Sequence, residues 1–176
     1  ILRYAGGAFA VLGIFAVFTF GTTHRGRGLL GATIYEASRA TSTLMAMPKE
    51  VKAVYITAPT AGNSQKVEEI IKFAHEAGMN AAVVNVKDGD GMYLDGEMEV
   101  LAKKLNDAGI YPIARIVTFQ DNYLAEKWHD VALKTATGTV WSSRGYKWLD
   151  PASREVWDYN IETAVEALNE GFSEVN

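Results

Sequence analysis

Asn80-Ala81-Ala82-Val83-Val84-Asn85-Val86-Lys87-Asp88, followed by Gly89-Asp90-Gly91, decides how this chain is read. A short run of small and β-branched apolar residues predicts a strand buried on both faces, as in parallel sheets covered by helices. Its last positions, Asn85, Lys87 and Asp88, are polar groups that an ordinary buried strand excludes. In parallel α/β folds ligands sit at the carboxyl ends of the strands. A polar strand tip just before an Asp-Gly turn therefore reads as a site.

Outward from this stretch the same layout recurs. Residues 51–58 predict a strand closed by Pro59. Asn63 or Ser64 can cap a helix whose apolar positions are Val67, Ile70, Ile71, Ala74 and Ala77, and Gly78 supplies its left-handed stop. A second helix over 97–108 aligns Met98, Leu101, Ala102, Leu105 and Ala108 and ends at Gly109; residues 110–117 form the third strand. Asp150 and Pro151 are expected to open a third helix with the stripe Val156, Trp157, Ile161, Ala164, Val165 and Leu168. After Gly171 a fourth strand begins.

Strand, helix, glycine, strand, repeated, means right-handed βαβ units and a parallel sheet. Both an open doubly wound sheet and a (β/α) barrel fit. Thr60-Ala61-Gly62-Asn63 lacks the glycine-rich phosphate fingerprint of the open form. Side-chain parity favours the barrel. Tyr55 with Thr57, Asn85 with Lys87, Ile113 with Arg115 and Val117, and Glu174 with Asn176 each share one strand face. A polar barrel mouth, with the opposite faces covered by helices, accounts for that pattern.

The sequence has 176 residues, 48% hydrophobic and 22% charged, which is enough for one domain with a sizeable core. A net charge of −4 argues against a nucleic-acid partner. The absence of cysteine excludes disulfides, thiolate metal sites and cysteine nucleophiles. Residues 5–23 carry no charge and are flanked by Arg3 and by His24, Arg25 and Arg27. Their length lies between a signal-peptide core and a membrane span. We expect 1–23 to be a signal anchor or transmembrane helix, with a cleaved signal peptide and a buried helix as alternatives. Residues 24–50 would be a juxtamembrane linker, and 51–176 an extracytoplasmic domain, membrane-anchored or secreted.

Arg115, within Ile113-Ala114-Arg115-Ile116-Val117, needs a partner to offset desolvation. It can clamp a catalytic carboxylate or a ligand, or pair structurally with Glu174. Asp88 is either a carboxylate at the mouth or an ordinary turn former. Lys87 is either electrostatic help beside it or a salt-bridge partner. Asp88, Asp90 and Asp95 fail the EF-hand spacing because Met92 stands at its third acidic position. His75 and His129 read as surface residues, and neither a metal nor a cofactor is expected. The connection 118–149 is long for a βα loop and holds Tyr123, Trp128, Trp141, Tyr146 and Trp148. Such rings suit sugar faces, or pack the connection onto the fold. Gly138 and Gly145 around Thr139-Val140-Trp141 suggest a small hairpin.

Several motifs together resemble a bacterial glycosyl hydrolase family with a TIM-barrel catalytic domain behind an N-terminal membrane or signal segment. They are Val51-Lys52-Ala53-Val54-Tyr55-Ile56-Thr57, Asn85-Val86-Lys87-Asp88, Ala114-Arg115-Ile116-Val117-Thr118-Phe119, Trp148-Leu149-Asp150-Pro151, Val156-Trp157-Asp158-Tyr159-Asn160 and Gly171-Phe172-Ser173-Glu174-Val175. The resemblance implies the N-terminal half of a (β/α)8 barrel and hydrolysis of a glycan. It places Asp88, Arg115 and Glu174 as catalytic candidates. Tyr55, Asn85, Lys87, Trp141, Trp148 and Asp150 become candidates for substrate binding. Two departures stand out. Asn85 replaces the family's usual aspartate, and the sequence stops at Asn176, before a segment of the Phe-Asp-Tyr-x-Arg-Phe-Pro kind whose Asp is the implied key carboxylate. A non-catalytic carbohydrate-binding barrel and an open-sheet α/β domain binding a small ligand remain the alternatives.

Overall fold

The structure, a computed structural model, describes residues 45–94 and 96–176. Strands β1 (Ala53–Ile56), β2 (Ala81–Asp88), β4 (Tyr111–Ile116) and β7 (Glu174–Val175) lie side by side in that order, all parallel. The two-residue β3 (Gly91–Met92) folds back antiparallel on the end of β2. Helices α1 (Ala58–Ala61) and α2 (Ser64–Glu76) follow β1, α3 (Gly96–Asp107) follows β3, and α5 (Arg154–Asn169) precedes β7. Between β4 and α5 the long connection folds as α4 (Asn122–Lys127), a 3-10 turn (His129–Val131) and a hairpin of β5 (Ser142–Ser143) and β6 (Tyr146–Lys147).

The predicted punctuation holds at the first two crossovers. The Asn63 Oδ1 accepts the Lys66 amide to cap α2, while Gly78 and Gly109 take the left-handed φ values of 66° and 71° that close α2 and α3. The third differs. Asp150 turns the chain, its carboxylate accepting the Ala152 amide, and the α5 cap is Ser153, whose hydroxyl accepts the Val156 amide. Pro151 therefore precedes the helix instead of opening it. The buried stripe of α5 also differs: Val156, Thr163 and Ala167 face inward, whereas Trp157 and Ile161 are exposed. The helix is rotated by its polar anchors. Asn160 donates to the Thr118 carbonyl and Tyr159 to Asp121, which sets their side of the helix inward.

One sheet face carries Ile56, Val84, Val86 and Ala114, packed against Val67 and Ala74 of α2, Leu101 and Leu105 of α3, and Ala167 of α5. Burying each larger apolar side chain contributes about 1.5–3 kcal/mol, and this is the main core. The opposite face follows from register. Tyr55, Val83, Ile113 and Glu174 are aligned across the four strands, with Asn85 beside Arg115 one step further on. The strand order runs with the sequence, without the reversal that marks the switch point of a doubly wound sheet. No described helix is long and apolar enough to cross a membrane. The expected anchor at 1–23, the linker up to residue 44 and Asp95 lie outside the described residues.

Candidate functional site

A register shift in β2 sorts the polar residues of its tip into two groups. Asn85 pairs with Arg115, but Lys87 pairs with Ile116, so an extra residue is accommodated between Asn85 and Lys87. Parity predicts that Asn85 and Lys87 share a face; the bulge overturns that. Lys87 is carried to the helix-covered side, where neither it nor Asp121 is solvent-accessible beyond 1%. Its ammonium lies 3.3 Å from the Asp121 Oδ2, donates to the Val117 carbonyl at 2.6 Å, and sits 5.4 Å from the Tyr159 ring. Burial pushes the Lys87 pKa below its ordinary value, while Asp121 and then Asp88 oppose that shift. Lys87 thus fastens β2, the connection and α5 together, with its side chain fully buried.

The other group stays at the open face. Arg115 donates to the Asn85 Oδ1 at 2.9 Å, and the Asn85 amide donates to the Asp88 Oδ2, also at 2.9 Å. The second Asp88 oxygen accepts the Tyr93 hydroxyl and the Asp90 amide, each at 2.9 Å. Tyr93 is held in its phenol form: burial first, then the bond to Asp88, raises its pKa to about 12. A continuous chain, Arg115–Asn85–Asp88–Tyr93, therefore crosses from β4 to the β2–β3 turn. Among the described residues Arg115 is in no ion pair; its guanidinium is half-buried and bonded to a neutral amide. The expected structural pair with Glu174 does not form. Glu174 instead pairs with Ile113, two residues before Arg115, and burial and then the Glu174 carboxylate raise the Tyr111 pKa.

Tyr55 is half-exposed on the same face at β1. The hairpin of the connection reaches the site from the other side. It turns at Arg144-Gly145, whose φ values of 54° and 84° are those of a type I′ turn. The anticipated glycine turn at Gly138 is separate, closing a loop from Thr135 to Thr139. Trp141 and Trp148 meet edge to face, ring centroids 5.8 Å apart. Tyr146 lies so close to Gly89 that a Cβ there would fall 2.5 Å from its ring carbons. Asn122 bonds the Gly89 carbonyl as well, so the residue after Asp88 is clasped from two directions. Asp150 stays in its turn at the base of α5, bonded to Ala152.

The sequence reading gave no site role to Tyr93, Asp121 or Tyr159, and took Tyr146 only as one of the connection's aromatic rings. Two left usable signals. Gly89-Asp90-Gly91 reverses the chain and returns Tyr93 to Asp88, and Asp121 precedes a short helical run as capping acids do. The contacts of Tyr146 with Gly89 and of Tyr159 with Asp121 left none, since the partners are distant in sequence. Among the described residues no three acids or histidines gather as a metal site. A groove of about 240 Å³ between α1–α2 and α3, lined by Gly62, Ser64, Glu97 and Lys104, lies on the helix side and includes no candidate residue.

A parallel sheet with helices on one face and polar strand ends on the other is the architecture of glycosidase barrels, and the comparisons agree. A hypothetical protein from Ruminiclostridium thermocellum ATCC 27405 superimposes with a TM-score of 0.65 at 29% identity, over 69% of this chain and 73% of that one. A GH36 alpha-galactosidase from Geobacillus stearothermophilus gives 0.56 at 20% identity over 85% of this chain, and an alpha-amylase from Lactobacillus plantarum gives 0.51 at 16% over 64%. The chain spans only 24% and 35% of those two enzymes, whose likeness is one of fold. No curated protein sequence matches. Residues 53–176 match the family described as "Putative glycosyl hydrolase domain", and the chain belongs to that family.

Proposed function

We propose that this protein is a glycoside hydrolase acting on a polysaccharide or cell-envelope glycan, and that residues 51–176 form the N-terminal half of a (β/α)8 barrel. The observation that carries this reading is the strand-end chain Arg115–Asn85–Asp88–Tyr93, in a chain belonging to a glycosyl hydrolase family. Asp88 is the carboxylate nearest the proposed glycan. Arg115 and Asn85 orient it, Tyr55 lines the opposite side, and Trp141 and Trp148 hold sugar rings. Hydrolysis by general acid and carboxylate chemistry needs two carboxyl groups, about 5–5.5 Å apart for retention or about 6.5–9.5 Å for inversion. Glu174 is the other candidate on this face, but it is two strands away and level with Val83, five residues before Asp88; the two offsets together put their backbones roughly 15–20 Å apart, too far for Glu174 to be the second carboxyl.

A second reading, a carbohydrate-binding barrel without hydrolysis, is favoured by one observation. Both Asp88 oxygens are already engaged, and its neighbour on β2 is the amide Asn85 instead of a second acid. Retention of polysaccharide on the protein, lost in Asp88→Ala and Arg115→Ala, supports either reading; release of reducing ends that stops in Asp88→Asn selects the enzyme. If the native protein retains no glycan, both fail. The charge-free segment 5–23 supports a membrane-anchored, extracytoplasmic location, testable by fractionation.

A further inference from the structure

The β5–β6 hairpin offers more than two isolated tryptophans. Ser142 pairs with Lys147 and Ser143 with Tyr146, so the next pair outward sets Trp141 opposite Trp148, as their ring contact bears out. Tyr146 and Trp148 are two apart on one strand and therefore share a side. Tyr146, Trp148 and Trp141 thus form one row. Its inner end is fixed by Tyr146, whose ring rests on Gly89, the residue after Asp88. Its outer end is Trp141, with Trp148 as a half-buried buttress.

The hairpin's other side is tied down. Lys147 pairs with Glu126 of α4, and its amide is bonded by the Asn122 Oδ1 at 2.7 Å. The row is therefore held in place before any ligand arrives, which lowers the ordering cost of binding. Hydroxyls stand near the row. Thr135, Thr137 and Thr139 cluster beyond the Lys134–Val140 bridge, and Ser143, opposite Tyr146, shares the rings' side of the hairpin. Rings with hydroxyls beside them suit pyranoses, which combine C–H faces with polar rims.

We propose that Tyr146 and Trp141, braced by Trp148, form a run of sugar-stacking positions leading away from Asp88, so that the ligand is an extended linear oligosaccharide and not a single sugar. This rests on the glycan reading above and deepens it. A chain threaded along the row meets Tyr146 at the Asp88 end and Trp141 about two units away, since two strand residues span about 7 Å and the tryptophan rings lie 5.8 Å apart.

The test is a titration of the intact chain with maltose-, cellulose- and chitin-derived ladders of one to six units, by calorimetry and tryptophan fluorescence. For the ladder that binds, affinity should rise with each unit and then level off. Trp141→Ala should lower affinity for the hexamer about 10-fold and remove the gain between the shorter and longer members, while Trp141→Phe restores most of it. Tyr146→Ala should act on short and long members alike. Equal affinity for one unit and six overturns the proposal and leaves the glycan reading standing. So does a length dependence that Trp141→Ala leaves intact. Failure of every ladder to bind, together with failure of polysaccharide retention, overturns both.

Discussion

Replacing Lys87 with methionine tests whether a buried charge pair fastens the connection to the barrel face. The methionine fills similar space but leaves the Asp121 carboxylate, at most 1% exposed, without its counter-charge. The remaining bonds to Asp121 are the Leu124 amide at 2.7 Å and the Tyr159 hydroxyl at 3.4 Å. Stranding one partner of such a pair costs about 3–5 kcal/mol. For a domain of this size that lowers the melting temperature by about 10–20 °C. Lys87→Met/Asp121→Asn removes both charges and keeps the cap acceptor, so it should recover most of the loss. Calorimetric unfolding of the native protein, both single variants and the double variant closes the cycle. The pH dependence adds a sign. Because burial holds the Lys87 pKa below 10.5, the folded chain binds fewer protons than the unfolded one between that lowered value and 10.5. This group's contribution therefore rises with pH across that window, and Lys87→Met should flatten the rise. A loss under about 1 kcal/mol in Lys87→Met, or a double variant as unstable as the sum of the singles, would refute the fastening argument.

Other outcomes follow from the same geometry. Tyr93, raised to about 12, contributes stability that is whole below pH 10 and disappears as pH climbs through about 12; Tyr93→Phe should remove that alkaline dependence in pH-scanned unfolding. Gly89→Ala must displace the Tyr146 ring and should cost about 1–3 kcal/mol, a penalty that largely vanishes in the Tyr146→Ala background when the four proteins are melted side by side. Ser153→Ala should lower stability by about 1 kcal/mol as loss of the true α5 cap; a larger effect at Asp150→Ala would move the cap back to the proline turn. Asn85→Leu leaves Arg115 and Asp88 without their bridge and should destabilise by about 1–3 kcal/mol, with glycan retention lost even where the variant remains folded.

Much of this molecule is written in local pattern. The alternation of apolar runs with glycine stops specified the parallel sheet, because Val67, Leu101 and Ala102 repeat at helical spacing and Gly78 and Gly109 can close a helix where other residues resist. Parity alone also set Asn85 and Arg115 on one face, and they meet there. What local pattern could not supply was the consequence of one extra residue in β2. Period-two alternation has no signature for a bulge, so the helix-ward turn of Lys87 and its capture by Asp121 and Tyr159 depended on tertiary pairing. The same holds for the rotation of α5, chosen by Tyr159 and Asn160 over an apolar stripe of comparable strength, and for Tyr146 resting on Gly89. Composition and spacing determine which elements form. Contacts between residues dozens of positions apart decide which of their polar groups become the fastening and which remain at the mouth, because a buried charge goes where its partner is.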